Sequence, residues 1–107
     1  MTVNGSQIAD AVYLIKNGAA SCSCVQIENA AVSETVLWEN TLAADHWLRF
    51  TSLTQRVELS EDDGATWNVS NIGVTGRIPQ LQGGINNVIA LTGPTTGTRN
   101  ITYTSVG

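Results

Sequence analysis

Apolar and polar residues alternate along short stretches of this chain, and turn residues separate one stretch from the next. A period of two places successive side chains on opposite faces of a strand. No segment repeats its apolar residues with the period of 3.6 that an amphipathic helix requires. The pattern therefore predicts an all-β protein with little or no helix. The predicted strands cover residues 11–16, 22–29, 34–40, 46–50, 55–60, 67–74, 77–80, 86–91 and 99–106.

About eight or nine short strands at this spacing favour an antiparallel β-sandwich made of two sheets. A parallel sheet is disfavoured, because no connection is both long enough and helical enough to cross over between parallel strands. At 107 residues the chain has the size of one domain. Residues 1–10 are polar and are interpreted as a lead-in segment or linker, and residues 11–107 as a single β-sandwich domain.

One pair of neighbouring strands permits a register to be predicted. If Phe50 lies opposite Val57, apolar residues face apolar residues along the pair, and Arg49 faces Glu58 on the other side. A slip of one residue would place Arg49 beside an apolar side chain and destroy the match. We therefore expect an antiparallel hairpin with one apolar face. The residues expected to face the core are Leu48, Phe50, Val57 and Leu59.

Residues 60–67 read S-E-D-D-G-A-T-W and directly follow the second strand of that pair. Asp62 is a short acceptor that can bond backbone N–H groups of a turn, and Gly64 can adopt a positive φ. Trp67 begins the return strand and can place its ring over the turn. The signature resembles the Asp-box hairpin of sialidases, of which a single copy is a structural element and does not indicate an enzyme. The expected structural hairpin comprises Ser60, Asp62, Gly64, Thr66 and Trp67.

Composition and charge narrow the classes of partner. The net charge is −4 and the five basic residues are scattered, whereas nucleic-acid binding requires a basic surface. No apolar run approaches the roughly 20 residues of a membrane span. The first residues lack the features of a signal peptide, so we expect folding in a cytoplasm. Cys22 and Cys24 are expected to be free thiols on one face of a strand, because neighbouring strand positions rarely suit a disulfide.

Candidate binding residues come from the aromatic and acidic positions. Sugar-binding sandwiches use exposed tryptophan faces flanked by polar groups, and Trp47, Arg49 and Trp38 are the candidates for such a glycan site. Asp62 and Asp63 are weak candidates for calcium, because hard oxygen ligands crowd one loop. The alternative is that Asp62 caps the turn and that the neighbouring carboxylates are solvated.

Catalytic chemistry has little support in the sequence. The single histidine, His46, has no nucleophile within a recognisable elbow, and no G-x-S-x-G motif exists. Glu34 and Glu39 lie on opposite faces of one predicted strand, so they do not form the acid pair of a glycoside hydrolase. We therefore expect a protein that is not an enzyme and that uses no cofactor.

The order of elements resembles the C-terminal domain of siphophage distal tail proteins, the baseplate-hub family of long-tailed bacterial viruses. The resemblance covers residues 11–106, nearly the whole chain. It includes an L-x-x-x-x-W-L-x-F strand followed by the Q-R-V-E-L strand, and a P-x-L-x-x-G-x-N-x-V-I approach to a late strand. The segments that carry it are residues 11–15, 27–29, 42–50, 55–59 with Trp67, and 79–89.

The resemblance implies a galectin-like or jelly-roll-like sandwich without catalytic residues. In that family the domain decorates the outside of the tail-tip ring and contacts other tail and baseplate proteins. The implied function is a non-enzymatic structural and interaction module of a bacteriophage or prophage tail. The implied location is the virion tail, assembled in the cytoplasm of the bacterial host. The alternative is a carbohydrate-binding module that recognises a host or environmental glycan through exposed tryptophans.

Overall fold

The structure is a computed structural model that describes residues 8–82, 87–94 and 97–104. Within these ranges the chain forms strands, turns and bends and no helix, so none of the described residues belongs to a helix that could cross a membrane. The strands are β1 (Ile8–Asn17), β2 (Val25–Asn29), β3 (Glu34–Trp38), β4 (Trp47–Thr51), β5 (Arg56–Ser60), β6 (Asn68–Val69), β7 (Val74–Gly76), β8 (Leu81–Gln82), β9 (Ile89–Thr92) and β10 (Gly97–Thr104).

The strands form two antiparallel sheets, which confirms the predicted all-β sandwich. The first sheet has the order β10-β1-β4-β5-β6, with β8 also pairing with β1. The second sheet has the order β7-β3-β2-β9. Buried side chains from both sheets form one hydrophobic core, as two sheets packed face to face require. Its largest fully buried members are Trp38, Tyr13, Phe50, Ile27, Leu42, Leu48, Ile78 and Leu81.

The register of β4 and β5 is the one that the sequence predicts. Phe50 pairs with Val57, and Arg49 pairs with Glu58. Leu48 pairs with Leu59, which packs against the core while remaining half-buried. Apolar pairs on one face and an oppositely charged pair on the other therefore specify the register of this hairpin.

Most strand boundaries differ from the sequence prediction. The predicted strands 67–74 and 77–80 are wrong, because this region forms only the short strands β6 and β7, and residues 77–80 are irregular. Two further differences lie near the start of the chain. The first strand begins at Ile8 rather than at residue 11, and Ala9 is fully buried within the core. The second begins at Val25 rather than at residue 22, because Cys22 exchanges both backbone hydrogen bonds with Leu42, which lies beyond β3. The chain bends at Ser23 between that isolated bridge and β2.

Asn17 is the last residue of β1, and its buried side chain makes hydrogen bonds to the backbone around the turn that follows. Its Nδ2 donates hydrogen bonds to the carbonyl oxygens of Ala20, Leu42 and Ala43, at 2.8, 2.9 and 3.2 Å. Its Oδ1 accepts a hydrogen bond of 2.9 Å from the backbone N–H of Gly18. A buried amide with all of these partners costs little to desolvate and fixes the turn that follows the strand.

Candidate functional site

The tip of the hairpin between β5 and β6 is held by hydrogen bonds among its own residues. Ser60 Oγ donates to Asp62 Oδ1 at 2.8 Å and accepts from the N–H of Gly64 at 2.9 Å. Asp62 Oδ1 also accepts from the N–H of Thr66 at 2.8 Å. Hydrogen bonds from Thr66, and then from Ser60, hold the pKa of Asp62 below its ordinary value. The tip is therefore a preorganised turn.

Asp63 connects this tip to the outer face of the first sheet. Its Oδ1 accepts a hydrogen bond of 2.9 Å from Trp47 Nε1 and lies 3.4 Å from Lys16 Nζ. The Lys16 ammonium also lies over the Trp47 ring, 5.5 Å from its centroid. The Trp47 hydrogen bond, and then Lys16, lower the pKa of Asp63. Asp63 and Gly64 have φ of +59° and +87°, a backbone region that Asp-Gly pairs adopt readily.

A second group of side chains lies beside the first on the same face. The Arg49 Nη2 and Nε atoms lie 3.0 and 3.1 Å from Glu58 Oε1. The guanidinium group stacks on the Trp67 ring at 4.2 Å from the centroid, a favourable cation–π distance. A Cβ built on Gly64 would lie 4.0 Å from Trp67 Cζ2, so the ring lies against the hairpin tip. Trp67 thus joins the tip to the sheet.

Together these side chains form a surface that we call the outer platform. Two cations face two carboxylates, so the platform carries no uncompensated charge that would attract a phosphate backbone. Exposed Val69 lies opposite Glu58 and extends the platform to the edge of the sheet. Its members are Lys16, Trp47, Arg49, Glu58, Asp63, Trp67 and Val69.

The structure separates the three residues predicted for a glycan site. Trp47 and Arg49 lie on the outer platform and are half-buried. Trp38 is only 1% exposed and faces the core, where its Nε1 donates to Ser70 O at 3.1 Å and is 3.2 Å from Ser70 Oγ. The expectation that Trp38 offers an exposed ring is therefore wrong, because β3 turns this residue toward the opposite sheet.

Sequence reasoning missed the contact between Trp67 and Arg49. Trp67 precedes Asn68, which pairs with Leu59, so Trp67 lies beside the end of β5. Alternation along β6 places Trp67 on the same face as Val69, the outer face. The pairing of β5 with its return strand was the signal that could have revealed this contact.

The predicted calcium ligands are engaged in the hairpin. Asp62 accepts hydrogen bonds from Ser60 and Thr66, and Asp63 accepts one from Trp47. In the described part of the chain, no three histidine, cysteine, aspartate or glutamate residues are grouped to hold a metal ion. These contacts favour the turn-capping alternative for Asp62.

Comparison with known proteins gives no assignment. No family model matches the chain, and no curated protein or solved structure matches it. The resemblance to distal tail proteins remains a prediction from the sequence.

Proposed function

We propose that this chain is a non-enzymatic interaction module that docks on other proteins through the outer platform. The observation that carries the proposal is the charge-balanced surface on which the half-buried side chains of Trp47, Trp67 and Arg49 are held by neighbouring side chains. Tryptophan and arginine are the residues that most often dominate binding energy at protein interfaces. The resemblance in sequence supports a tail, tail-tip or baseplate setting in a bacteriophage, with other virion proteins as partners.

Rigidity of the platform supports docking. Asp63 fixes the indole of Trp47, and Glu58 fixes the guanidinium group of Arg49. Side chains that are already ordered lose less conformational entropy when a partner binds. A surface of this kind can gain affinity without rearranging its backbone.

The aromatic rings favour a protein partner over a sugar. The Lys16 ammonium lies over one face of Trp47, and the Arg49 guanidinium covers one face of Trp67. A sugar that stacks on a tryptophan needs an open ring face, whereas a protein interface accommodates stacked arginine and lysine side chains.

The first experiment locates the protein in particles. Phage particles from the strain that carries the gene should be labelled at the tail tip by antibodies against this domain, as seen by electron microscopy. Cross-linking of these particles followed by mass spectrometry should then join Lys16 or its neighbours to another tail protein. Particles without the protein would contradict the phage setting.

A matched pair of variants tests the docking surface. Val69→Asp places a charge on the platform, and Val88→Asp makes the same change away from it, at 62% and 58% exposure of the original side chains. We expect Val69→Asp to reduce incorporation into particles at least about tenfold, since a buried unpaired charge at an interface is costly. Val88→Asp should assemble normally. Equal incorporation of both variants would contradict docking through the platform.

A carbohydrate-binding module is the second candidate, and the half-buried Trp47 beside Arg49 is the observation that favours it. Titration with oligosaccharides should shift the tryptophan fluorescence if Trp47 stacks on a sugar, and Trp47→Ala should remove the shift. Fluorescence that stays constant across a panel of neutral and acidic oligosaccharides would leave protein docking as the function of the platform.

A further inference from the structure

The strand β10 forms one edge of the first sheet and is much longer than the strands at the other edges. It has eight residues, whereas β6, β7 and β9 have two, three and four. β10 pairs with β1 along its whole length, and no strand within the described ranges pairs with its other side. A long edge strand of this kind is a template on which another chain can add a strand.

The opposite edge of the same sheet is protected. The Val57 carbonyl oxygen accepts a hydrogen bond of 2.7 Å from the Ser70 N–H. The Val57 N–H donates to Asn71 Oδ1 at 2.8 Å, and Asn71 Nδ2 donates to the Gln55 carbonyl oxygen at 3.1 Å. The Asn71 side chain thus occupies backbone groups that a further strand would need. The sequence of β10, by contrast, contains no proline and only one charged residue, Arg99, so it has few of the features that block edge pairing.

The backbone hydrogen bonds of β1 show which groups of β10 point outward. The Ala11 N–H donates to Ser52 Oγ at 2.8 Å, and the Ala11 carbonyl oxygen accepts from the Ser52 N–H at 2.9 Å. The Asn17 N–H donates to the His46 carbonyl oxygen at 2.9 Å, and His46 and Ser52 flank β4. The odd-numbered residues of β1 therefore bond toward β4, and the even-numbered residues bond toward β10, because these groups alternate in direction along a strand.

The register of β1 and β10 carries this alternation into β10. It places even-numbered residues opposite even-numbered residues, so the even-numbered residues of β10 bond to β1. The other residues of β10 direct their N–H and C=O groups away from the sheet. They are Gly97, Arg99, Ile101 and Tyr103.

A second copy of this chain fits this edge best in one register. Outward-directed residues must lie opposite each other, so a two-fold axis near the middle of the strand passes through Arg99, Asn100 or Ile101. An axis through Arg99 places like charges directly opposite each other. An axis through Asn100 needs Gly97 opposite Tyr103, but Gly97 has a φ of +113°, which is not extended backbone. An axis through Ile101 pairs Arg99 with Tyr103 and gives every outward group of these three residues a partner.

We propose that this protein forms a two-fold symmetric dimer in which the β10 strands of two copies pair antiparallel about Ile101. The first sheet of one copy then continues into that of the other. The two Arg99 residues lie four positions apart along the paired strands, roughly 13 Å, which exceeds the screening length at physiological salt. The outer platform centres on β4 and β5 and reaches the edge at β6, so the dimer is independent of the proposed docking function.

Sedimentation equilibrium of the purified chain tests the stoichiometry. We expect monomers that convert to dimers as the concentration rises, with no larger species, because two-fold pairing uses the edge of both copies and closes the assembly. A chain that stays monomeric up to about 1 mM would overturn the proposal, and so would trimers or open-ended polymers.

Amide hydrogen exchange followed by NMR tests the edge itself. The N–H groups of the even-numbered residues of β10 bond to β1 and should be protected at every concentration. Those of Arg99, Ile101 and Tyr103 should exchange rapidly in the dilute monomer and at least about tenfold more slowly in the dimer. Protection of these three groups in the monomer would mean that another segment of the same chain covers the edge, which contradicts the proposal. A dimer in which their exchange does not slow would contradict it as well.

A matched pair of variants tests the register. An axis through Ile101 places Asn100 of one copy opposite Thr102 of the other. Asn100→Lys with Thr102→Glu then places opposite charges across the dimer, whereas Asn100→Lys with Thr102→Lys places like charges there. We expect the first variant to dimerise at least about tenfold more tightly than the second at low salt, and the difference should shrink at high salt.

Net charge cannot produce this difference. The chain carries a net charge of −4, so two added lysines reduce the overall repulsion between copies, whereas the lysine and glutamate together leave it unchanged. Circular dichroism confirms that both variants are folded. Equal dissociation constants for the two variants would exclude pairing about Ile101.

Discussion

The residues of strands β4 and β5 alternate between two faces of the hairpin, and the two faces serve different purposes. On the inner face Leu48, Phe50 and Val57 are fully buried. On the outer face Arg49 and Glu58 form a half-buried ion pair. Buried apolar area contributes most of the folding free energy, whereas such ion pairs contribute little. Along each strand, one set of alternate residues supplies the stability of the fold and the other set supplies the chemistry of the surface. A substitution on one face should therefore change one property and leave the other nearly unchanged.

The largest effect is expected on the inner face. Phe50→Ala should lower the free energy of unfolding by about 3–5 kcal/mol, because it leaves a cavity in the core. Trp47→Ala, three residues away on the outer face, should cost less than half as much. Urea denaturation followed by circular dichroism measures both. Equal losses would mean that the outer platform is part of the folding core.

A smaller effect is expected at the tip that joins the two faces. Gly64→Ala should cost about 1–2 kcal/mol, because a residue with a Cβ is strained at a φ of +87°, although the added Cβ would make only an ordinary contact of 4.0 Å with Trp67. Gly76→Ala, in the other sheet, is the comparison: its Cβ would lie 2.1 Å from the Thr35 carbonyl oxygen. Thermal melting should rank Gly76→Ala as the more damaging change, and the reverse order would contradict this packing.

Exchange of the outer ion pair should have a still smaller effect on stability. Arg49→Glu combined with Glu58→Arg keeps the pair but removes the stacking of Arg49 on Trp67. The double variant should unfold within about 1 kcal/mol of the parent, and each single variant should be less stable than the double. Denaturant titration of all four proteins gives the coupling. A double variant weaker than both singles would show that the Trp67 contact outweighs the ion pair.

The mildest perturbation is acid. The folded pKa values of Asp62 and Asp63 lie below the ordinary value of 3.8. Their contribution to stability is therefore present above that value and is lost as pH falls through the folded pKa values. Near-ultraviolet circular dichroism of the tryptophans should report loosening of the tip below pH 3.8. Asp62→Asn should show a smaller acid-dependent change; an unchanged one would assign the effect to other groups.

The alternation of apolar and polar residues within single strands is sufficient to predict part of the fold. The alternation around Phe50 and the charges of Arg49 and Glu58 specify one register, and the structure has it. Long-range order was not available from the same pattern. That β1 lies between β4 and β10 depends on contacts between segments far apart in sequence, which period-two alternation does not encode.

The candidate site could be predicted only in part, because alternation places residues on the faces of a strand but does not show which contacts those faces make. Trp47 and Arg49 follow the alternation of a well-defined strand, and both lie on the outer face. Trp38 lies in a strand whose two faces are similarly apolar in sequence, so its burial could not be read from alternation alone. Alternation in the sequence predicts that Cys22 begins the second strand, but its backbone pairs with Leu42, a tertiary contact that overrides local strand propensity.

The hydrogen bonds of the Asn17 side chain have a consequence for chemical ageing. Asn-Gly sequences deamidate when the glycine nitrogen attacks the asparagine side-chain carbon and ammonia departs through a succinimide. Here three carbonyl oxygens hold the side-chain nitrogen, and the Gly18 N–H points at the side-chain oxygen. Folding should therefore protect this dipeptide during long storage, and unfolding should expose it to hydrolysis.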